Sequence, residues 1–442
     1  MDGTAPPQLR ALVTPERVHR SVYTDPALFE LEMQRIWGRA WIYVGHESQV
    51  KAPGDFFSTR IGRQPVVMVR HSDGGVRVLY NRCGHRGALV VAEESGHADA
   101  FTCCYHGWRY DTDGRLLSVP LPGGYGDGFD LSDPALGMVP VARAASYRGF
   151  VFASLAADGP DLKTFLGHMA TSLDDLVDRA PDGEVEVAGG IARHGYDGNW
   201  KLVLENLCDG LHPLCVHASS IEAARAQDDG AWTDGAGEIA VTQMRQNGAP
   251  FEFWQNQVGL WAYPYGHSYL GDYHSDARLV AAMENPAFRD YAARMEAAYG
   301  AARAREILSV GRWNSNIYPS LSFMSQFRQL RVVHPVSVDR TEVFGFCFRL
   351  KGAPDSMFED TIRFANVTNA TASPVLTDDL ETYFRIRRGL TTQGSDWIPT
   401  ARALGTDRPD EHGGWEAADG TSELHIRNMM QAWAGYMADV PA

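Results

Sequence analysis

Apolar and polar positions change rhythm twice along the chain. Residues 1–20 form a polar, Pro-containing arm. Asp25-Pro26 reads as a helix start, because Asp caps and Pro tolerates the first helical position. Leu28, Phe29, Ile36 and Trp37 then recur at helical spacing up to Trp41. From Trp41 to about Phe152 the pattern shortens into β segments: WIYVG, QPVVMVR, VRVLYN and FTCCYHGWRYD. Turns such as Ser72-Asp73-Gly74-Gly75 and Asp113-Gly114 separate them. Residues 120–138, rich in Gly, Pro and Asp, read as a long surface loop, and 149–153 as the last strand of this block. Past about residue 158 helical spacing returns from Leu162 to Leu176, with a strand near Val185–Val187. Residues 238–262 and 321–350 alternate as strands of an open antiparallel sheet do. Between them 285–310 reads as one long helix, 356–366 and 376–390 as further helices, and the tail from Gly420 as an amphipathic helix. The expected architecture is α+β. It comprises a helical arm (1–40), an all-β domain (41–157) and a domain of antiparallel sheet flanked by helices (158–442). No internal repeat appears.

Composition narrows this picture. The 442 residues are 44% hydrophobic and 21% charged, as in globular proteins. The net charge of −15 argues against a nucleic-acid partner, whose phosphates would be repelled. Six cysteines form no spaced framework, so disulfides are not expected. The N-terminus lacks an apolar signal core, and no run of eighteen apolar residues occurs. The expected location is the cytoplasm, with no membrane contact.

The stretch Asn81 to Trp108 carries the first chemistry. Cys83 and His85 stand one residue apart, Cys103 and His106 two residues apart, with a loop between. Two thiolates and two imidazoles can close a tetrahedral zinc site, or hold a [2Fe–2S] cluster with the thiolates on one iron and the imidazoles on the other. Zinc fingers mostly pair Cys with Cys and His with His, which makes zinc the minor reading. C-x-H, a spacer, then C-x-x-H-Gly-Trp resembles the cluster motif of the Rieske family, and Arg86-Gly87 and Tyr105 add to the likeness. Cys104 stands where the family usually has Pro. Only Cys103 keeps the two-residue gap to His106. The resemblance therefore implies Cys83, His85, Cys103 and His106 as cluster ligands.

A second constellation runs from Asn199 to His217, N-W-K-L-V-L-E-N-L-C-D-G-L-H-P-L-C-V-H. On a continuous helix Glu205, Asp209 and His212 would share a face, while Pro213 would disturb the turn before His217. Two imidazoles plus one carboxylate, with open positions left, suit a non-haem Fe(II) centre that must bind O2. E-N-x-x-D-x-x-H-x4-H resembles the iron motif of the Rieske ring-hydroxylating oxygenase α subunits, and the likeness covers nearly the whole chain in order. It implies His212 and His217 as ligands of a mononuclear iron. Asp379 of Thr377-Asp378-Asp379-Leu380-Glu381 would be the third ligand, and Asp378 the helix cap. Asn206 would lie near the open positions. Asp209 would bridge His212 to His106 of a neighbouring subunit, orienting both rings and offering a route for the electron. The chain departs from relatives at Leu211, Leu207 and Arg387.

Softer likenesses at 265–268, 312–314 and 318–321 resemble the branch acting on benzoate-, salicylate- or anthranilate-like acids. An arene carboxylate wants apolar walls and one fixed guanidinium. Arg328, Arg331 and Arg245 offer the guanidinium, and Phe323 and Leu207 the walls. His267 reads as structural. The resemblance implies a terminal oxygenase that hydroxylates an aromatic acid with O2. Its electrons would come from NAD(P)H through a separate reductase or ferredoxin. It would assemble as a homotrimer or with a small β subunit (α3β3). The alternatives are a monooxygenase or O-demethylase, a dioxygenase of neutral arenes, and, in another class, an electron-transfer Rieske protein.

Overall fold

Asp25 and Pro26 act as their chemistry dictates: the Asp25 carboxylate accepts the Ala27 amide at 2.7 Å, and Pro26 opens the helix Pro26–Arg35. The computed structural model describes residues 9–126, 128–226, 238–274, 279–280 and 282–438. The chain divides into two compact units, one of Trp37–Leu162, the other joining Met1–Ile36 to Lys163–Ala442. The N-terminal helix thus belongs to the larger unit. Its buried Glu32 explains why: the carboxylate accepts from Lys201 Nζ at 2.5 Å, Trp200 Nε1 at 2.8 Å and Trp433 Nε1 at 2.6 Å. One buried anion, satisfied by three donors, ties together the arm, the N-W-K segment and the C-terminal helix Leu424–Ala438.

The smaller unit is built from three antiparallel sheets. One contains Arg143–Tyr147, Phe150–Ser154 and Ile42–His46, and another Val76–Tyr80, Gln64–Arg70, Asp55–Ile61 and Ser95–His97. The third contains Leu116–Ser118, Arg109–Tyr110 and Phe101–Thr102. The FTCCYHGWRYD segment is therefore a short hairpin. Phe101 pairs with Tyr110 and Thr102 with Arg109, and the tip carries Cys103 to Trp108.

The larger unit holds a nine-stranded antiparallel sheet. Its order is Val185–Tyr196, Arg340–Leu350, Gln329–Ser337, Leu321–Met324, Val310–Ile317, His267–His274, Gly259–Tyr263, Trp415–Ala417 and Arg408–Pro409. The first strand is far longer than the expected 185–187 and carries an irregularity between Ala188 and Ile191. The strand expectation for 238–262 is corrected. Glu238–Asn247 and Phe251–Gln257 are helices, and only Gly259–Tyr263 is strand. The buried residues there, Met244 and Asn247, then Trp254 and Val258, recur at three and four residues, which is helical spacing. The single helix expected over 285–310 is two, Pro286–Tyr299 and Ala301–Ser309, parted at Gly300 with φ 79°. Among the described residues no helix is long and apolar enough to cross a membrane.

Candidate functional site

The two halves of the first motif fold into the same six-residue turn. The Cys83 amide donates to Ala88 O and the Gly87 amide to Cys83 O; the Cys103 amide donates to Trp108 O and the Gly107 amide to Cys103 O. Gly87 and Gly107 take φ of 74° and 69°, which favours glycine. These two glycines close the turns. Cys83 and Cys103 are buried and Cys104 is exposed, so the placement favours Cys103 as the thiol of the second turn. The His85 and His106 rings lie 4.7 Å apart, and His85 stacks on Trp108 at 4.8 Å. His85 Nδ1 is buried with no hydrogen-bond partner, so a ring nitrogen is left for coordination. The Tyr110 hydroxyl sits 2.9 Å from Cys83 Sγ, within reach to donate to a thiolate. Burial raises the Cys103 thiol, while the amides of Tyr105 and His106 favour its thiolate. Among the described residues, no three of Cys83, His85, Cys103 and His106 bring one ligand atom each within 4.8 Å of one another, a closeness that a single zinc ion would need and a two-iron cluster would not.

The second constellation is made by a broken helix. Lys201–Leu207 is helical, and Cys208 ends it. Asp209 Oδ1 then accepts the amides of Leu211 at 2.5 Å and His212 at 3.2 Å. Gly210 has no room for a side chain: a Cβ would stand 2.3 Å from Gly420 O. Pro213 does not break a helix but opens the single turn Pro213–Val216, and His217 closes it. The two imidazoles therefore leave opposite ends of one turn, with ring centroids 5.4 Å apart. The helix Leu376–Leu390 presents Asp379 in its first turn. Asp379 Oδ1 lies 3.8 Å from His212 Nε2 and 3.6 Å from His217 Nε2, and accepts Asn206 Nδ2 at 3.0 Å. Among the described residues His212, His217 and Asp379 bring three ligand atoms within 4.8 Å of one another.

Electrostatics fit a cation there. Burial lowers both imidazoles, keeping them neutral as ligands must be. Burial pushes Asp379 up to about 6, against the pull of His217 and Asn206. A divalent ion supplies the charge that this buried carboxylate lacks. Asp378 is not the cap expected of it. It lies inside the first turn, accepts Ser219 Oγ at 3.3 Å, and stands 3.7 Å from His217 Nδ1. Asp209 Oδ2 is 3.9 Å from His212 Nδ1. Glu205 is half-buried, with Tyr23 Oη donating to it at 2.7 Å.

Two hollows open on this site, both bounded by Leu207, Arg331 and Asp379. Gly190, His194 and Gln329 line one; Trp254, Trp313, Asn314 and Phe364 line the other. Arg331 is buried, with Nη2 donating to Asn314 Oδ1 at 2.5 Å and Nε without a partner; burial lowers it to about 10. Gln329 Oε1 is likewise buried and unpaired.

The structure does not bring Arg328 or Phe323 to the hollows. Leu321–Met324 ends one residue past Phe323, and a turn, Ser325–Phe327, interrupts the alternation. Arg328 closes that turn with φ 55°; its Nε donates to Thr361 Oγ1 at 2.6 Å and Nη1 to Gln326 O at 3.0 Å. Phe323 pairs with Leu330, whereas Ser322 pairs with Arg331, so Phe323 faces away from the Arg331 side. Phe327 stacks on Phe364 at 4.0 Å. Arg245 is exposed on the helix Glu238–Asn247. His267 is structural: its Nε2 meets Phe165 O at 2.9 Å and its Nδ1 accepts the Tyr318 amide. Gln243, Asn247 and Trp254 also line the second hollow, and the strand expectation for their segment hides the helical spacing that places them there.

Comparison with known proteins agrees with this arrangement. Residues 40–131 match the Rieske [2Fe-2S] domain family, and residues 169–439 the ring hydroxylating alpha subunit (catalytic domain) family. The chain is 35% identical to the toluate 1,2-dioxygenase subunit alpha of Pseudomonas putida, over 89% of this chain and 84% of that one. It is 36% identical to the anthranilate 1,2-dioxygenase large subunit of Acinetobacter baylyi, over 87% and 80%. A solved naphthalene 1,2-dioxygenase with indole in its active site superposes with a TM-score of 0.81 at 25% identity, covering 97% of this chain and 94% of that one. The chain therefore belongs to the ring-hydroxylating oxygenase alpha subunits, oxidoreductases that carry a Rieske [2Fe–2S] cluster and a mononuclear iron.

Proposed function

We propose that this chain is the terminal oxygenase of a multicomponent system that hydroxylates an aromatic carboxylic acid, drawing electrons from NAD(P)H through a reductase or ferredoxin. The observation that carries the reading is the juxtaposition of His212, His217 and Asp379 with Arg331, a buried guanidinium that donates to an amide oxygen of Asn314. Cys83, His85, Cys103 and His106 would hold the cluster, and the His212–His217–Asp379 triad the iron. When bound, these groups supply single electrons and a site for activating dioxygen.

The protein's own residues do the rest. Trp254, Trp313, Phe364 and Leu207 give apolar walls for a ring. A carboxylate beside Arg331 would gain a charge-assisted bond in a water-poor site, where such a bond is worth about 1.5–3 kcal/mol. Asn206, donating to Asp379 Oδ1, would hold the Asp379 carboxylate in place beside the two imidazoles. The likeness to two enzymes named as 1,2-dioxygenases of toluate and anthranilate, both aromatic acids, favours cis-dihydroxylation. Asp209, one third exposed, would meet His106 of a second copy of the chain, which a closed ring such as a trimer allows. A cytoplasmic location would supply the NAD(P)H on which the reductase draws.

The test is turnover of a panel of aromatic acids and neutral arenes with a compatible reductase under 18O2. Acids are expected to be converted, with both label atoms retained in a cis-diol. Arg331→Leu should raise KM for acids at least tenfold while sparing neutral arenes. Conversion of neutral arenes alone would contradict the substrate assignment.

A further inference from the structure

An imidazole that binds a metal through Nε2 must carry its proton on Nδ1. His212 and His217 both turn Nε2 toward Asp379, so both must place an N–H on the far side of the ring. Both Nδ1 atoms are buried, and neither has a hydrogen-bond partner. A buried, unpaired N–H costs about 1–3 kcal/mol. Each ring has one carboxylate just outside bonding distance on that side. For His212 it is Asp209, at 3.9 Å; for His217 it is Asp378, at 3.7 Å. Moving ring and carboxylate about half an ångström each toward one another closes such gaps to the usual 2.7–2.9 Å for a charge-assisted bond.

We propose that Asp378 is the positioning residue of His217: it accepts the Nδ1 proton, fixes the tautomer and aims Nε2 at the iron. This rests on reading His212, His217 and Asp379 as the iron ligands. The adjacent aspartates at the start of one helix then divide their labour. His217 lies between them, with Asp379 Oδ1 3.6 Å from Nε2 and Asp378 Oδ2 3.7 Å from Nδ1. Successive helix positions point about 100° apart, so one backbone segment can address both edges of a single imidazole. Asp378 is itself held by Ser219 Oγ at 3.3 Å. Ser219 lies in the helix Ala218–Ala226, which begins directly after His217, so ligand and orienting carboxylate are fixed to the same element. The arrangement mirrors Asp209 and His212, with one difference: Asp209 spends its other oxygen on the Leu211 and His212 amides.

The test is Fe(II) affinity of the mononuclear site in the full-length holoprotein, measured by competition with a chelator. The visible spectrum of the cluster is recorded throughout, and the nitric oxide adduct is examined by electron paramagnetic resonance. Asp378→Ala should weaken iron binding about 10- to 100-fold and alter the rhombicity of the adduct, with cluster and melting temperature unchanged. Asp378→Glu should recover part of both, and Ser219→Ala should weaken binding less than Asp378→Ala. Iron affinity and adduct spectrum in Asp378→Ala matching those of the parent would overturn the proposal, as would loss of iron together with the cluster, which marks a fold defect. His217→Ala serves as the control: retention of full iron there would overturn the ligand assignment itself.

Discussion

Arg331 and Arg328 stand three residues apart, and a strand running straight through would place them on opposite faces. Strand alternation from Leu321 holds only as far as Met324. The turn at Ser325–Phe327 spoils the alternation, and Gln329 and Arg331 become the cleft residues instead. Nothing in the apolar pattern marks that turn, because Phe327 is as apolar as a strand residue. The approach of His212 to His217 was legible for the opposite reason: it depends on residue type and short spacing, which the sequence states directly. Glu205 carries a test at this scale. Burial lifts its carboxyl to about 7 from an ordinary 4.5, although the Tyr23 bond and Lys201 oppose the shift. The folded state thus holds this proton more tightly than the unfolded chain. That contribution is full below about pH 4.5 and is lost as pH rises through 7, by up to about 3 kcal/mol. Glu205→Gln should therefore flatten the fall in melting temperature between pH 5 and 8. A fall of unchanged steepness would count against it.

At the scale of elements, the segment 199–217 was expected as a helix with a fault at Pro213. The fault lies earlier, at Cys208, and it is what aims the imidazoles. Asp209 and Gly210 make the turn, and Pro213 starts the next one. Helix starts marked by Asp-Pro were readable, as at Asp25. The helix over 238–247 was not, because a short polar stretch with few apolar residues satisfies either period. Glu32 shows how elements distant in sequence are joined. Its carboxylate and the Lys201 ammonium form a fully buried pair, 2.5 Å apart. Removing one partner of such a pair typically costs about 3–5 kcal/mol. Glu32→Ala should lose that much in denaturant unfolding of the larger unit. Trp433→Phe, which removes one hydrogen bond, should lose about 1–3 kcal/mol. Equal losses would show that packing, not the anion, holds the arm.

For the whole molecule, the two-unit division was visible in the change from short β segments to helices and long alternating strands. The membership of the first 36 residues in the larger unit was not, because it depends on a contact between Glu32 and residues about 170 and 400 positions away. Asp209 belongs to this scale, since its proposed partner is on another copy. Asp209→Ala is expected to keep the cluster and, with Fe(II) supplied in excess to offset a weaker His212, a filled mononuclear site, yet to lose at least a hundredfold in steady-state turnover with reductase. Full turnover in that variant would remove the bridge.

The most direct measurement counts iron and acid-labile sulfide per chain in the parent protein and in a His212→Ala, His217→Ala double variant. The expected parent content is the two irons and two sulfides of the cluster plus one further iron, and the double variant should lose only that last iron. Zinc in place of iron, or a double variant that keeps its full iron complement, would contradict the account.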